Sequence, residues 1–338
     1  MGSRFKAGLI FLLSLSLFLP FISSAESTPK KIKIGIVYDV GGKGDKSFND
    51  AAAIGVDAAK AKFGLSELDV REIVTSGNLF DRENRIEFLV KAKYDLVIAI
   101  GPAFAEAITY MSDKYPRRQF AIVGSPNVES LNVSSMAFST QESAYLAGVM
   151  AALNSKSSKI GFLGDQTHPN NSTLLDNFKA GAKSAKKKIK VITRNPESSA
   201  NVEVSELSRS GVDVIFSTWS RSGSAVSALS KLAKAKKKIK LIGVRPEQYF
   251  LSGKEAQKVL IGYVNERYDK AIMDLFEATV AGDTLIEIVD GRKGVFGRKL
   301  NLANSGIELI STSANKKSKD ALARATAGII SKVITVVK

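Results

Sequence analysis

The sequence predicts an α/β fold with two lobes, each built on a doubly wound, mainly parallel β-sheet. Short apolar runs alternate with helical stretches from Lys33 onward, a pattern typical of strands that are covered on both faces. The alternation restarts after residue 140, and 338 residues are enough for two ordinary hydrophobic cores. Together these observations predict two separate sheets in one chain.

The elements of the first half follow from this alternation. Gly41, Gly42 and Gly44 form a loop between the first strand and the first helix. The predicted strands are 32–38, 70–75, 95–100 and 119–123. The predicted helices are 48–63, 81–91 and 104–113.

The second half repeats the pattern. Its predicted strands are 159–163, 190–193, 213–217, 240–244 and 259–264, and its helices include 141–153 and 267–281. Ligands of doubly wound folds bind beyond the carboxyl ends of the strands, so the residues after the strands are the first candidates for a site. These residues are Asp39, Gly101, Gly124, Gly164, Trp219 and Arg245.

The first 25 residues are typical of a secretory signal peptide. Arg4 and Lys6 precede an apolar run over 7–19, and small residues end at Ala25, after which we expect cleavage. The alternative is a buried N-terminal helix. The 338 residues contain no cysteine, so we expect no disulfide framework and no lipid anchor. The expected location is periplasmic or secreted.

The composition argues against most catalytic and metal-binding classes. The absence of cysteine excludes a thiol nucleophile, and the single histidine, His168, lies in a polar loop. The sequence has no G-x-S-x-G motif, no P-loop and no metal-ligand spacing. We therefore expect no enzyme activity, no metal and no cofactor.

The formal net charge of +16 is high, and two lysine runs at 186–190 and 236–240 contribute to it. Each run ends a predicted helix, where lysine complements the helix dipole. We interpret both runs as solvated faces rather than as a binding patch. The alternative is an anionic partner such as a membrane surface. Export argues against nucleic acid.

Several motifs in one order carry a family resemblance. The stretch 35–42 reads GIVYDVGG, 45–49 reads DKSFN, and 142–148 reads ESAYLAG, like an E-x-x-[FY]-L-A-G helix. Similar stretches continue through 159–164, 242–244 and 248–249. The sequence thus resembles the basic membrane protein family of substrate-binding proteins, which includes bacterial purine nucleoside receptors.

The resemblance implies a type I periplasmic binding protein fold, in which a hinge joins the two lobes around a ligand cleft. We expect residues 26–139 plus 247–283 in lobe 1, and 140–246 plus 284–338 in lobe 2. The crossovers are expected near Ser139, Pro246 and Asp283. The resemblance implies a small-molecule ligand and an ABC transporter permease as partners, and we expect a monomer.

The resemblance also implies positions for the ligand contacts. Phe48 and Phe178 correspond to two aromatics that sandwich a purine, and Asp39 and Asn49 to polar contacts. Each has an alternative: core packing for either phenylalanine, capping of the loop or helix for Asp39, and an N-cap for Asn49.

Other positions depart from the nucleoside-binding pattern. Gly124 stands in place of an acid, Arg245 in place of an aspartate, and Glu266 in place of a lysine. Trp219 and Arg221 replace small residues. Arg221 and Arg245 would favour a carboxylate or phosphate on the ligand, whereas the alternative is an ion pair between Arg245 and Glu266.

These observations predict an exported solute-binding protein that delivers a nucleoside-like ligand to an ABC-type transporter. Two alternatives remain open: a ligand sensor for a membrane receptor, and a diverged binder of an anionic ligand that is not a nucleoside.

Overall fold

The computed structural model describes residues 32–125, 128–164, 170–194, 200–218, 231, 239–244, 258–283, 286–312 and 315–337. The predicted signal peptide and the candidate residues Trp219, Arg221 and Arg245 lie outside this part of the chain. Among the described helices, none has both the length and the apolar composition needed to cross a bilayer.

Thirteen strands and eight helices are described here. The strands are β1 (Ile34–Tyr38), β2 (Val70–Val74), β3 (Leu96–Ile100), β4 (Gln119–Val123), β5 (Val133–Phe138), β6 (Lys159–Leu163), β7 (Lys190–Arg194), β8 (Val214–Ser217), β9 (Lys240–Val244), β10 (Leu260–Glu266), β11 (Ile288–Asp290), β12 (Val295–Leu300) and β13 (Ile307–Ser311). The helices are α1 (Phe48–Phe63), α2 (Leu79–Lys91), α3 (Ala105–Lys114), α4 (Thr140–Asn154), α5 (Asn171–Ala185), α6 (Ala200–Arg209), α7 (Tyr268–Ala281) and α8 (Lys316–Ile330).

The strands form two sheets, which confirms the predicted α/β class. The first sheet has the order β11-β12-β5-β4-β3-β1-β2, and the second has the order β13-β10-β9-β8-β6-β7. All pairings are parallel except those of the outermost strands β11 and β13. Parallel strands end at the same edge of a sheet, so the loops after β1, β3, β4 and β5 lie along one carboxyl edge.

The strands form because their residues are apolar on both faces. All five residues of β1 and all five of β3 are buried, as a strand covered by helices on both sides requires. Strand β5 was not predicted, because Ser134 and Ser135 interrupt its apolar run although both are buried. Strands β11 to β13 and helix α8 were not predicted either.

Three connections between the sheets lie side by side. The first follows β5, where the Ser139 N–H donates to the Leu300 carbonyl at 2.8 Å. The second follows β10, where the Arg267 N–H donates to the Gly306 carbonyl at 3.1 Å. The third runs from β12 to β13, and its Leu302 N–H donates to Glu142 Oε2 at 2.9 Å. These three hydrogen bonds hold the crossovers together, and we call this part of the chain the hinge region, after the hinge that the resemblance implies.

The sheets differ from the predicted lobe ranges in three strands. Strand β10 was expected in lobe 1 but pairs with β9 in the second sheet, so the crossover expected near Pro246 falls at Arg267. Strands β11 and β12 were expected in lobe 2, but β12 pairs with β5 in the first sheet. The crossover expected near Asp283 therefore follows Leu300. Periodicity identifies a strand but not the sheet that it joins.

Helices α4 and α5 cross at unusually close range in the second half. A methyl group at Gly181 would lie 1.9 Å from the Tyr145 carbonyl oxygen, and one at Gly148 would lie 2.1 Å from the Phe178 carbonyl oxygen. No Cβ fits at such distances, so the two helix backbones are in direct contact. The glycines thereby set the packing of this core.

We predict that Gly181→Ala lowers the free energy of unfolding by about 1–3 kcal/mol, because the added methyl group forces the helices apart. Urea denaturation of the purified protein measures it. The matched control is Ala180→Ser at the neighbouring exposed position, with an expected change below about 0.5 kcal/mol. A Gly181→Ala protein as stable as the wild type would contradict the close crossing.

Candidate functional site

The carboxyl edge of the first sheet carries the candidate site. Asp39 follows β1, Gly101 follows β3, Gly124 follows β4 and Ser139 follows β5. Gly101 and Gly124 have φ angles of 107° and 92°, which residues with a side chain rarely adopt. Both glycine N–H groups still donate to the next strand, so the edge is a continuous surface of backbone.

Phe48, the first residue of α1, lies on this edge. Its ring is partly exposed, and a methyl group at Gly101 would come within 2.9 Å of Phe48 Cε2. The ring also stacks on Tyr268, with centroids 5.8 Å apart and planes at 27°. The absence of a side chain at Gly101 therefore lets the Phe48 ring lie against the strand ends, while its role as a ligand contact stays a prediction.

Asn49 was expected to contact the ligand or to be an N-cap, but its side chain bonds to the backbone of the loop after β1. The side chain is fully buried, and its Oδ1 accepts from the Asp39 N–H at 3.2 Å. Its Nδ2 donates to the carbonyls of Asp39 and Val40 at 3.3 and 3.5 Å. Both ends of the amide thus hold the loop after β1, so Asn49 positions this loop and is not the N-cap.

Asp45 takes the capping role that the sequence analysis gave to Asn49 as an alternative. Its carboxylate accepts from the backbone N–H groups of Ser47, Asn49 and Asp50 at 2.7, 3.3 and 3.2 Å. Burial raises the pKa of the Asp45 carboxyl, while these three N–H groups act in the opposite direction. The sequence signal for this role is an aspartate, Asp45, in the loop directly before the helix.

Asp39 is held by an arginine that the sequence analysis missed. Arg82 Nη2 lies 2.9 Å from Asp39 Oδ1, and both side chains are about 15% exposed or less. The Arg82 guanidinium also lies 5.3 Å from the centre of the Phe104 ring. Its buried Nε has no hydrogen-bond acceptor within the described part of the protein. Arg82 is in the first turn of α2, beyond the end of β2, and this position was the clue.

Tyr268, the first residue of α7, joins Phe48 to the hinge region. Its ring lies 4.7 Å from that of Phe138, the last residue before the crossover at Ser139. A methyl group at Gly124 would lie 2.4 Å from Tyr268 Oη, so the tyrosine occupies the space of a side chain at this position. An acid at position 124, as in the nucleoside-binding pattern, does not fit this structure.

Phe178 is not on a sheet edge but in the core of the second half. Its side chain is fully buried, and its ring lies 5.7 and 5.4 Å from the rings of Phe162 and Phe216. This arrangement favours the core-packing alternative over the expected stacking role. Helical periodicity predicts that Phe178 faces inward both for core packing and for ligand stacking. The sequence alone therefore did not decide between these two roles.

The remaining candidates are only partly described. Glu266, the last residue of β10, is partly buried, and the pairing with Arg245 cannot be placed because Arg245 is outside the described residues, as are Trp219 and Arg221. At the carboxyl end of β8, the Ser217 and Thr218 hydroxyls are buried and make no hydrogen bond to the described residues. These two hydroxyls are polar groups that the sequence analysis missed.

We predict that Gly124→Ala lowers the free energy of unfolding by about 1–3 kcal/mol, because the methyl group meets Tyr268 Oη on a strained backbone. Adding Tyr268→Phe removes the hydroxyl and should return part of that loss, so the two changes should not be additive. Thermal and urea denaturation of the four proteins measure this. Strict additivity would contradict the contact.

Comparisons with known proteins match most of the chain. Residues 31–287 match the family model described as "ABC transporter substrate-binding protein PnrA-like". The ABC transporter nucleoside-binding protein BmpA of Lactococcus lactis is 30% identical over 321 residues, which cover 90% of this chain and 89% of that protein.

The expected location of the protein is contradicted by the same kind of comparison. A periplasmic or secreted protein without a lipid anchor was expected, but an uncharacterised lipoprotein of Pyrococcus abyssi is 34% identical over 38% of this chain and 32% of that protein. Lipoproteins of two further Pyrococcus species also match. The expected location rested on the signal-peptide pattern, and the expected lack of a lipid anchor rested on the absence of cysteine.

The fold is also that of solved solute-binding proteins. The structure of an ABC transporter solute-binding protein from Aeropyrum pernix has a TM-score of 0.72, with 19% identity, and covers 90% of this chain and 93% of that one. This likeness confirms the type I periplasmic binding fold. The family match over residues 31–287 confirms the resemblance in the motifs, and the chain belongs to the PnrA-like, or basic membrane protein, family of ABC transporter substrate-binding proteins.

Proposed function

We propose that this protein captures a nucleoside-like ligand at the carboxyl edge of its first sheet and delivers it to an ABC-type permease. The observation that carries the proposal is the partly buried Phe48 ring, which lies near Gly101 together with Asp39 of the Asp39–Arg82 pair. A flat apolar face next to a fixed carboxylate is what a purine with a polar sugar requires.

The chemistry assigns a role to each group. The exposed part of the Phe48 ring would stack on the base, and such stacking tolerates any base because every base has a π-face. Asp39 would accept from a hydroxyl or amino group of the ligand, since Arg82 engages one carboxylate oxygen, Oδ1. Asn49 would act indirectly, because it fixes the backbone that carries Asp39.

The family supports this proposal more than its alternatives. A relative that is 30% identical over most of both chains is named a nucleoside-binding protein. The anionic-ligand alternative depended on Arg221 and Arg245, which are outside the described residues. No observation on the described part of the chain favours a sensor for a membrane receptor.

We predict that the purified protein binds adenosine or inosine, and that Phe48→Ala weakens this binding by about 1–3 kcal/mol, the usual scale for loss of base–aromatic stacking. Isothermal titration calorimetry measures both. Phe88→Ala is the matched control, because Phe88 is 54% exposed on α2 and lies outside the site; its affinity should equal that of the wild type.

Two results would count against the proposal. If neither nucleoside binds to the wild-type protein, the ligand class is wrong. If a nucleoside binds and Phe48→Ala has no more effect than Phe88→Ala, the ligand is held elsewhere.

A further inference from the structure

The lysines of the second half converge on one edge of its sheet. Strands β6 to β10 are parallel, so they all begin at the same amino edge, opposite the carboxyl edge where ligands of this fold bind. Lysines stand at or just before the start of four of these five strands. They are Lys156, Lys159, Lys186, Lys187, Lys188, Lys190, Lys240 and Lys258.

Helix α8 brings further lysines to the same edge. Asn315 Nδ2 donates to the Leu153 carbonyl at 3.3 Å, and Asn154 Nδ2 donates to Ser318 Oγ at 2.9 Å. These bonds fix the start of α8 beside the end of α4, just before β6. The lysines added there are Lys316, Lys317 and Lys319, all exposed. We call these eleven lysines the basic edge.

Acidic side chains do little to neutralise the basic edge. Asp213, just before β8, uses its carboxylate on Ser155 Oγ and on the backbone N–H groups of Lys156 and Ser157 at 2.6–2.8 Å. The Nζ atoms of Lys159, Lys186 and Lys240 contact backbone carbonyls instead of carboxylates. Apart from Lys258, only Lys316 of the basic edge is matched among the described ion pairs, with Asp320 at 2.9 Å.

The amino edge of the first sheet provides the contrast. Its lysines lie among acids: Glu87 pairs with both Lys91 and Lys114 at 3.2 and 3.0 Å. Asp95 accepts from the Lys33 N–H at 2.8 Å, directly before β3. The equivalent edge in the same fold is therefore mixed in charge, so the basic edge is a property of the second half alone.

We propose that the basic edge docks on a bilayer that contains anionic lipids. Nine of the eleven lysines are exposed, and they spread along a whole edge, which suits a diffuse negative surface rather than one pocket. A compact ammonium group also needs no bidentate geometry, unlike arginine on a single phosphate. Because the basic edge lies opposite the carboxyl edge of its own sheet, docking would leave that carboxyl edge free.

The test is vesicle flotation with the purified full chain. Phosphatidylglycerol-containing vesicles should bind the protein, pure phosphatidylcholine vesicles should not, and higher salt should weaken binding. The variant Lys156→Gln, Lys187→Gln, Lys188→Gln and Lys190→Gln removes four exposed charges. Each lysine near an anionic surface changes partitioning by roughly fivefold, so we expect at least a tenfold loss.

The matched control removes the same net charge from the other amino edge. Its changes are Lys33→Gln, Lys91→Gln, Lys93→Gln and Lys114→Gln, and its binding should stay within about twofold of the wild type. Equal losses in the two variants would overturn the proposal, as would equal binding to both kinds of vesicle. Binding to a soluble polyanion without binding to vesicles would also overturn it. None of these outcomes depends on which solute the protein binds.

Discussion

The parallel direction of the strands is the constraint on which the rest of this structure depends. It gives each sheet two chemically distinct edges, because every parallel strand begins at one edge and ends at the other. At the carboxyl edge of the first sheet it gathers Asp39, Gly101 and Gly124 from positions far apart in sequence. At the amino edge of the second sheet it gathers lysines that the sequence places in separate runs.

Two glycines convert the first of these edges into a surface for aromatic rings. Without side chains at Gly101 and Gly124, the rings of Phe48 and Tyr268 lie directly against the strand ends. Tyr268 then contacts Phe138, and the two residues flank the crossovers at Arg267 and Ser139. The aromatic surface proposed to hold the ligand is thus in contact with the crossovers, where the chain passes from one sheet to the other.

Local patterns predicted much of this arrangement, while tertiary packing decided the rest. The apolar runs of β1 and β3 predicted their strands, and the family resemblance directed attention to Phe48. For Phe178 both ligand stacking and core packing were open, because an inward helical face does not reveal whether the side chain meets a core or a ligand. Arg82 was missed because its pairing with Asp39 spans 43 residues. The sheet that β12 joins likewise depends on a partner distant in sequence, β5.

Hydrogen–deuterium exchange with and without adenosine tests the central claim most directly, because it reports where the ligand acts along the chain. With adenosine bound, we expect slower exchange in residues 39–50 and next to Gly101 and Gly124. A second pocket, of about 430 Å³, is lined by residues that include Glu142, Leu302 and Ile334. If adenosine binds but slows exchange around that pocket and not at the carboxyl edge of the first sheet, the proposed location of the ligand site is contradicted.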